Sequence, residues 1–194
     1  MEKGDKPAEL IGKTGDCVLD AFLHAAHLKQ VYRKGWTRFF PLDVVESDAD
    51  HSFGVAILAY LLAKETRPDL DADKVLRIAT FHELAESITG DVIPADKIPV
   101  EEKDANERRA MHIILDGLKS KDELMSVWNE IETRSTPEGT FVKDVDYLEM
   151  CIQALIYEKQ HGVDLQEFYD FTLERLRGDD IIAILRSIMA LRTP

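Results

Sequence analysis

The chain has 194 residues, which suits one domain whose apolar core is large enough to stand without disulfide staples. Apolar residues make up 45% and charged residues 31%, an ordinary balance for a globular protein. The formal net charge of −13 argues against nucleic-acid polymers and anionic membrane surfaces as partners, yet leaves room for one small phosphate monoester at a local positive site.

Met1 to Asp16 is polar and mixed in charge, with no apolar run leading into a small-residue cleavage site. It does not read as a signal peptide, and residues 1–15 are expected to be flexible or peripheral. Asp16 caps a predicted helix whose Leu19, Phe22, Leu23 and Ala26 follow i, i+3, i+4 spacing inward and which Gly35 closes. Gly35 to Glu46 reads as a loop. Ser47 with Asp50 forms a capping box for a helix that is apolar all round, which predicts a central position. Its run Val55 to Ala63 is the longest apolar stretch, far short of the roughly 20 residues a membrane span needs.

Asp71 to Ile88 is a third predicted helix, with Val75, Ile78, Ala79 and Ala85 inward and Gly90 as terminator. After the loop Asp91 to Ile98, Pro99 starts a helix running to about Leu118. Ser120 with Glu123 opens another through Trp128 and Ile131. Thr136-Pro137 opens a long one with Val142, Val145, Leu148, Ile152, Leu155 and Ile156 inward, ended by Gly162. Two C-terminal helices, Asp164 to Arg177 and Asp179 to Leu191, split at Gly178. No segment alternates with period two, so the expected fold is all-α.

Cys17 and Cys151 are too few for a disulfide framework and read as reduced thiols of a cytoplasmic protein. His24 and His27 lack an acid partner at ligand spacing and read as surface or packing residues. Trp128, Phe168, Tyr169 and Phe171 fit helix packing. The acidic Glu101, Glu102 and Asp104 suit a solvated first helical turn.

Polar residues on buried helices need partners. His51 lies in the first turn of the apolar helix. His82, Glu83 and Glu86 cluster in the third helix, where His82 and Glu86 share a face at i, i+4. Asp146 sits among inward positions of the long helix. Two imidazoles and two carboxylates from three helices make an octahedral N/O set for a divalent cation. The zincin pattern His-Glu-x-x-His is not met, because Glu86 stands where its second histidine would be.

The order His51, His82-Glu83, Asp146 resembles the His…His-Asp…Asp signature of the HD-domain metal-dependent phosphohydrolases. Residues 47–52 (SDADHS), 82–91 (HELAESITGD) and 141–148 (FVKDVDYL) resemble the family's three blocks. Residues 91–103 (DVIPADKIPVEEK) resemble its 5′-deoxynucleotidase branch. The resemblance spans about Leu19 to Phe171. It implies a single-domain HD-type helical bundle, a homodimer, and removal of the 5′-phosphate from deoxynucleoside monophosphates. It implies His51, His82, Glu83 and Asp146 as ligands of one Mn²⁺, Co²⁺, Fe²⁺ or Zn²⁺ ion. Glu86 falls on the acid that orients or deprotonates the attacking water, and Asp91 on a second catalytic acid. Trp36 falls on a tryptophan associated with deoxyribose selection, and Asp91, Val92, Ile93 and Pro94 on the stretch lining the nucleoside.

Two positions depart from the family. Glu83 replaces the second Asp of the signature and is one methylene longer. Gly35 stands where an arginine precedes the tryptophan in bacterial members; of Arg33, Lys34 and Arg38, the expected substitute for holding phosphate is Arg38. These departures motivate an alternative, a non-catalytic nucleotide- or metal-binding protein with a degenerate site. A two-metal diesterase or oxygenase would need further histidines that the second half of the site lacks.

Overall fold

The computed structural model describes residues 6–192. Its α-helices, in order, are α1 (Lys6–Leu10), α2 (Cys17–His27), α3 (Asp48–Thr66), α4 (Ala72–Phe81), α5 (Glu86–Thr89), α6 (Val100–Ile114), α7 (Lys121–Thr133), α8 (Pro137–His161), α9 (Gln166–Leu173) and α10 (Asp179–Ala190). Short 3₁₀ turns cover Lys34–Arg38 and Pro94–Asp96. Among the described residues there is no strand, only an isolated antiparallel bridge between Tyr32 and Ser47. The fold is all-α, as the sequence predicts. Of the N-terminal segment, residues 1–5 lie outside the described residues; α1 packs on α2.

The chain forms two units. The first combines Met1–Phe53 with Phe81–Trp128, the second Gly54–Thr80 with Asn129–Pro194. In the first unit, α2 starts as expected. The Asp16 carboxylate accepts from the Val18 and Leu19 amides at 2.8 and 3.2 Å. The helix ends at His27 rather than Gly35, because residues 31–33 leave it to pair with 46–48. Arg33 N–H donates to the Glu46 carbonyl and Asp48 N–H to the Val31 carbonyl. Its packing face also differs from expectation. Leu19 and Phe22 are exposed, while His24 and His27 are buried and Ala21 and Ala25 pack on the core. His24 Nδ1 lies 3.3 Å from Ser87 Oγ. That core gathers Leu28, Leu84, Met111, Ile114, Leu115 and Trp128, side chains whose burial contributes about 1.5–3 kcal/mol each. Helix α6 stops at Ile114 rather than Leu118, as the chain tightens into i→i+3 turns and Gly117 adopts φ +76°.

The capping box opening α3 is present. Ser47 N–H and O–H both donate to Asp50 Oδ2, at 2.9 and 2.7 Å, and the Asp50 amide donates back to Ser47 Oγ. The helix is not buried all round. Val55, Ala59 and Ala63 are buried, but Phe53, Ile57 and Leu61 form an exposed stripe, 70%, 46% and 54% accessible.

In the second unit Val75, Ile78 and Ala79 of α4 are buried, as expected. Thr136 Oγ1 accepts from the Gly139 amide and Gly162 closes α8 at φ +68°. A Cβ at Gly139 would stand 2.3 Å from the Glu130 carbonyl oxygen, so only glycine lets α8 start this close to the end of α7. Val142, Val145 and Leu148 line the inner face, whereas Ile156 is exposed. Helices α9 and α10 both pack on α8. The buried Asp144 ties the unit together, accepting from Arg134 Nη1 at 3.1 Å and from the Arg177 and Gly178 amides.

The Ser47 cap fixes the turn of α3 that carries Asp48 and His51. Ser47→Ala should cost about 1 kcal/mol, read as a lower midpoint in urea denaturation with unchanged m-value.

Candidate metal centre

The third predicted helix is in fact interrupted. After Phe81 the chain takes tight turns in which the Leu84, Glu86, Ser87 and Ile88 amides bond three residues back, and α5 resumes at Glu86. His82 and Glu86 therefore do not share a face of one regular helix. The turn instead carries Glu83 between two imidazoles. Glu83 Oε1 lies 3.6 Å from His51 Nε2 and 3.4 Å from His82 Nε2. The two rings meet edge to face, with centroids 5.4 Å apart. All three residues are buried and their donor atoms lie within 4.8 Å of one another. Ligands at about 2.1 Å from an ion stand roughly 3–3.4 Å apart in octahedral or tetrahedral arrangements, so this spacing fits a small divalent cation with little adjustment.

A guanidinium faces the same acids. Arg33 Nη1 lies 3.3 Å from Glu83 Oε1, 3.7 Å from Asp91 Oδ1 and 4.0 Å from Asp48 Oδ1. Burial disfavours its charge, but Asp91, Glu83, Asp48 and Glu86 outweigh that and raise its pKa. Asp91 follows Gly90, whose φ of +71° suits glycine, and it also accepts from the Lys34 amide. Glu86 is buried, and its Oε2 has no hydrogen-bond partner. Burial pushes its carboxyl well above the usual range, helped by Glu83, Asp91 and Asp48. Asp48 is 0% exposed, and neither carboxyl oxygen has a hydrogen-bond partner. Burial pushes it up to about 7, with Arg33 opposing.

The other sequence-predicted residues lie as follows. Asp146 is buried on α8 of the second unit, its Oδ2 2.8 Å from Lys143 Nζ. Trp36 is buried and its indole N–H donates to Glu46 Oε1 at 2.8 Å. Arg38, the expected phosphate holder, is exposed with its guanidinium over the Phe39 ring, whereas Arg33 sits among the acids. Val92 and Ile93 are half-buried and Pro94 is exposed; Ile93 N–H donates to Asp96 Oδ2 at 3.0 Å. Sequence reasoning missed Asp48, although Asp48 and His51 share a face at i, i+3, which was the available signal.

The HD-domain family profile matches residues 25–181. The chain belongs to the HD-domain family. It is similar to the human 5′-deoxynucleotidase HDDC2, 38% identical over 170 residues, covering 86% of this chain and 81% of that protein. It is similar to the 5′-deoxynucleotidase hdd1 of Schizosaccharomyces pombe, 35% identical over 151 residues and 74% of each chain. Among solved structures, a conserved hypothetical protein from Pyrococcus furiosus superposes with a TM-score of 0.74 at 33% identity, covering 89% of this chain and 99% of that one. HD membership implies a divalent metal, and the buried His51, His82 and Glu83 donors suit one.

Asp48 makes metal-free stability depend on pH. The folded state keeps its proton up to about pH 7, whereas the unfolded chain loses it near 3.8. Stability linked to this group is whole below the lower value and falls as pH rises through the interval. The melting temperature of metal-free protein should drop between about pH 4 and pH 7, and Asp48→Asn should flatten the drop, as calorimetry at stepped pH will read.

Proposed function

We propose that this chain is a divalent-metal-dependent phosphohydrolase that removes the 5′-phosphate from nucleoside and deoxynucleoside monophosphates. The observation that carries the reading is the buried His51–Glu83–His82 constellation with Arg33 and Glu86 beside it, in a member of a family whose relatives are named 5′-deoxynucleotidases. His51, His82 and Glu83 hold the ion, with Asp146 as fourth ligand. Two imidazoles and two carboxylates suit Mn²⁺, Co²⁺, Fe²⁺ or Zn²⁺ better than Mg²⁺, which prefers oxygen ligands. When bound, the cation supplies Lewis-acid activation of the phosphoryl group and of water.

The protein's own groups do the rest. Glu86 lies in the same acid cluster, and positive charge entering that cluster favours its ionised form. In that form it accepts a proton from the attacking water as the new P–O bond forms and the P–O5′ bond breaks, and that proton passes on to the departing O5′. Arg33, rather than Arg38, offsets charge on the phosphoryl oxygens, and Asp91 keeps Arg33 aimed at the cluster. Trp36, Val92, Ile93 and Pro94 bound the nucleoside. The reading takes residues 1–194 as one HD-type domain of a cytoplasmic protein. It also takes the exposed Phe53, Ile57 and Leu61 stripe of α3 as the seam of a homodimer.

Phosphate release from deoxynucleoside monophosphates should appear with added Mn²⁺ or Co²⁺, vanish with chelator, and fall by at least about 100-fold in His82→Ala. Wild-type protein that is metal-loaded and releases no phosphate would overturn the reading. The non-catalytic alternative draws on Glu83, whose carboxylate is shared with Arg33. Glu83→Asp separates the two. An active site tuned to glutamate loses activity on shortening, whereas a large gain would mark a decayed enzyme.

A further inference from the structure

Resting on that reading, we propose that Lys34 and Asp96 are positioning residues of the site: their ion pair clamps residues 91–96 onto the segment that carries Arg33, and so sets how firmly the monophosphate is held. Lys34 meets both ends of that stretch. Its backbone N–H donates to Asp91 Oδ2, and its ammonium donates to Asp96 Oδ1. Its own carbonyl accepts from Thr37 Oγ1 at 2.8 Å, which fixes the turn it starts.

Asp96 is arranged for the same task. Its Oδ2 accepts from the Ile93 amide at 3.0 Å while Oδ1 faces Lys34, so one carboxylate closes its own turn and grips the other segment. The Lys34 ammonium and the Ile93 amide together hold the Asp96 carboxyl below the usual range. The turn needs such support. Lys97, which follows it, has φ +57°, a left-handed conformation that a residue other than glycine keeps only where its surroundings hold it. The pair is partly solvated, with the Lys34 side chain 36% and the Asp96 side chain 22% exposed. Its effect is therefore a matter of fewfold changes. It reaches that level because Asp96 is already ordered by Ile93, so less freedom is lost when the pair forms.

The clamp acts on the site through Asp91. That carboxylate bridges adjacent residues, with Oδ1 3.7 Å from Arg33 Nη1 and Oδ2 on the Lys34 amide. If residues 91–96 swing away, Arg33 loses one of the three carboxylates that orient it. Val92 and Ile93, assigned to the nucleoside, lie between the two gripped ends. One ion pair thus holds both a partner of the phosphate-facing guanidinium and a wall for the nucleoside. Lys34→Met removes the ammonium but leaves the amide that binds Asp91, so it isolates the clamp.

The experiment compares wild type, Lys34→Met, Asp96→Asn, the double variant and Lys34→Arg, with the metal content of each measured. Hydrogen exchange is followed at the Ile93 and Lys97 amides of metal-free protein, and KM and kcat are taken for a deoxynucleoside monophosphate on loaded protein. Each single charge-removing variant should speed exchange at those two amides and raise KM, both by about fivefold, with kcat changed less and metal content unchanged. The double variant should be no worse than either single one, because both remove the same contact. Lys34→Arg should stay near wild type. Unchanged exchange in Lys34→Met, or single effects that simply add, would overturn the proposal. Faster exchange with an unchanged KM in an active enzyme would reduce the pair to a local structural tie and overturn it as well. Faster exchange in a chain whose wild type hydrolyses no nucleotide would uphold the clamp and remove the enzymatic reading.

Discussion

Four carboxylates gathered out of water are untenable without countercharge, and Arg33 is the group that makes their assembly possible. Its position is not incidental to the backbone. Residues 31–33 leave α2 and pair with 46–48, so the same hydrogen bonds that aim Arg33 also set the start of α3. Asp48 and His51 then follow within one turn, under the Ser47 cap. The irregular turn after α4 delivers Glu83, and the left-handed Gly90 delivers Asp91. The first unit thus converges on one guanidinium from three separate stretches of chain.

One guanidinium does not balance the cluster. Asp48 and Glu86 retain carboxyl oxygens without hydrogen-bond partners, and burial holds both groups toward their neutral forms. A fold selected only for stability would replace such groups with apolar ones of similar shape. Their presence fits a site that receives a divalent cation, as membership of the HD-domain family implies. The same frustration makes Glu86 responsive, because its proton affinity is set by neighbours whose charge changes when a ligand arrives.

Much of this was legible in the residues. Asp16, Ser47, Thr136 and Gly162 act where capping rules put them, because those interactions are local. The grouping of His51 with His82 and Glu83 came from the resemblance to the HD-domain signature, because helix placement alone left them as separate candidates. What failed depended on tertiary context. The α2 face was misjudged because alanines and imidazoles, not Leu19 and Phe22, meet the core. The continuous helix expected through Ile88 breaks at His82, since the turn's inward side chains outweigh helical periodicity. Arg38 was preferred over Arg33 and Lys34 because the sequence does not record the bridge between Tyr32 and Ser47, beside which Arg33 lies among the acids while Arg38 is exposed.

The interruption between α4 and α5 has a further meaning for access. A core of continuous α-helix opens only in large cooperative steps, which would seal a dry pocket against exchange with solvent. Two of the three convergent donors, His82 and Glu83, hang instead on a few three-residue-back hydrogen bonds, whose geometry is poorer than that of an α-helix. A stretch of that kind can breathe on its own, at a fraction of the global unfolding free energy. The turn that positions His82 and Glu83 is therefore one place where the core can open towards solvent.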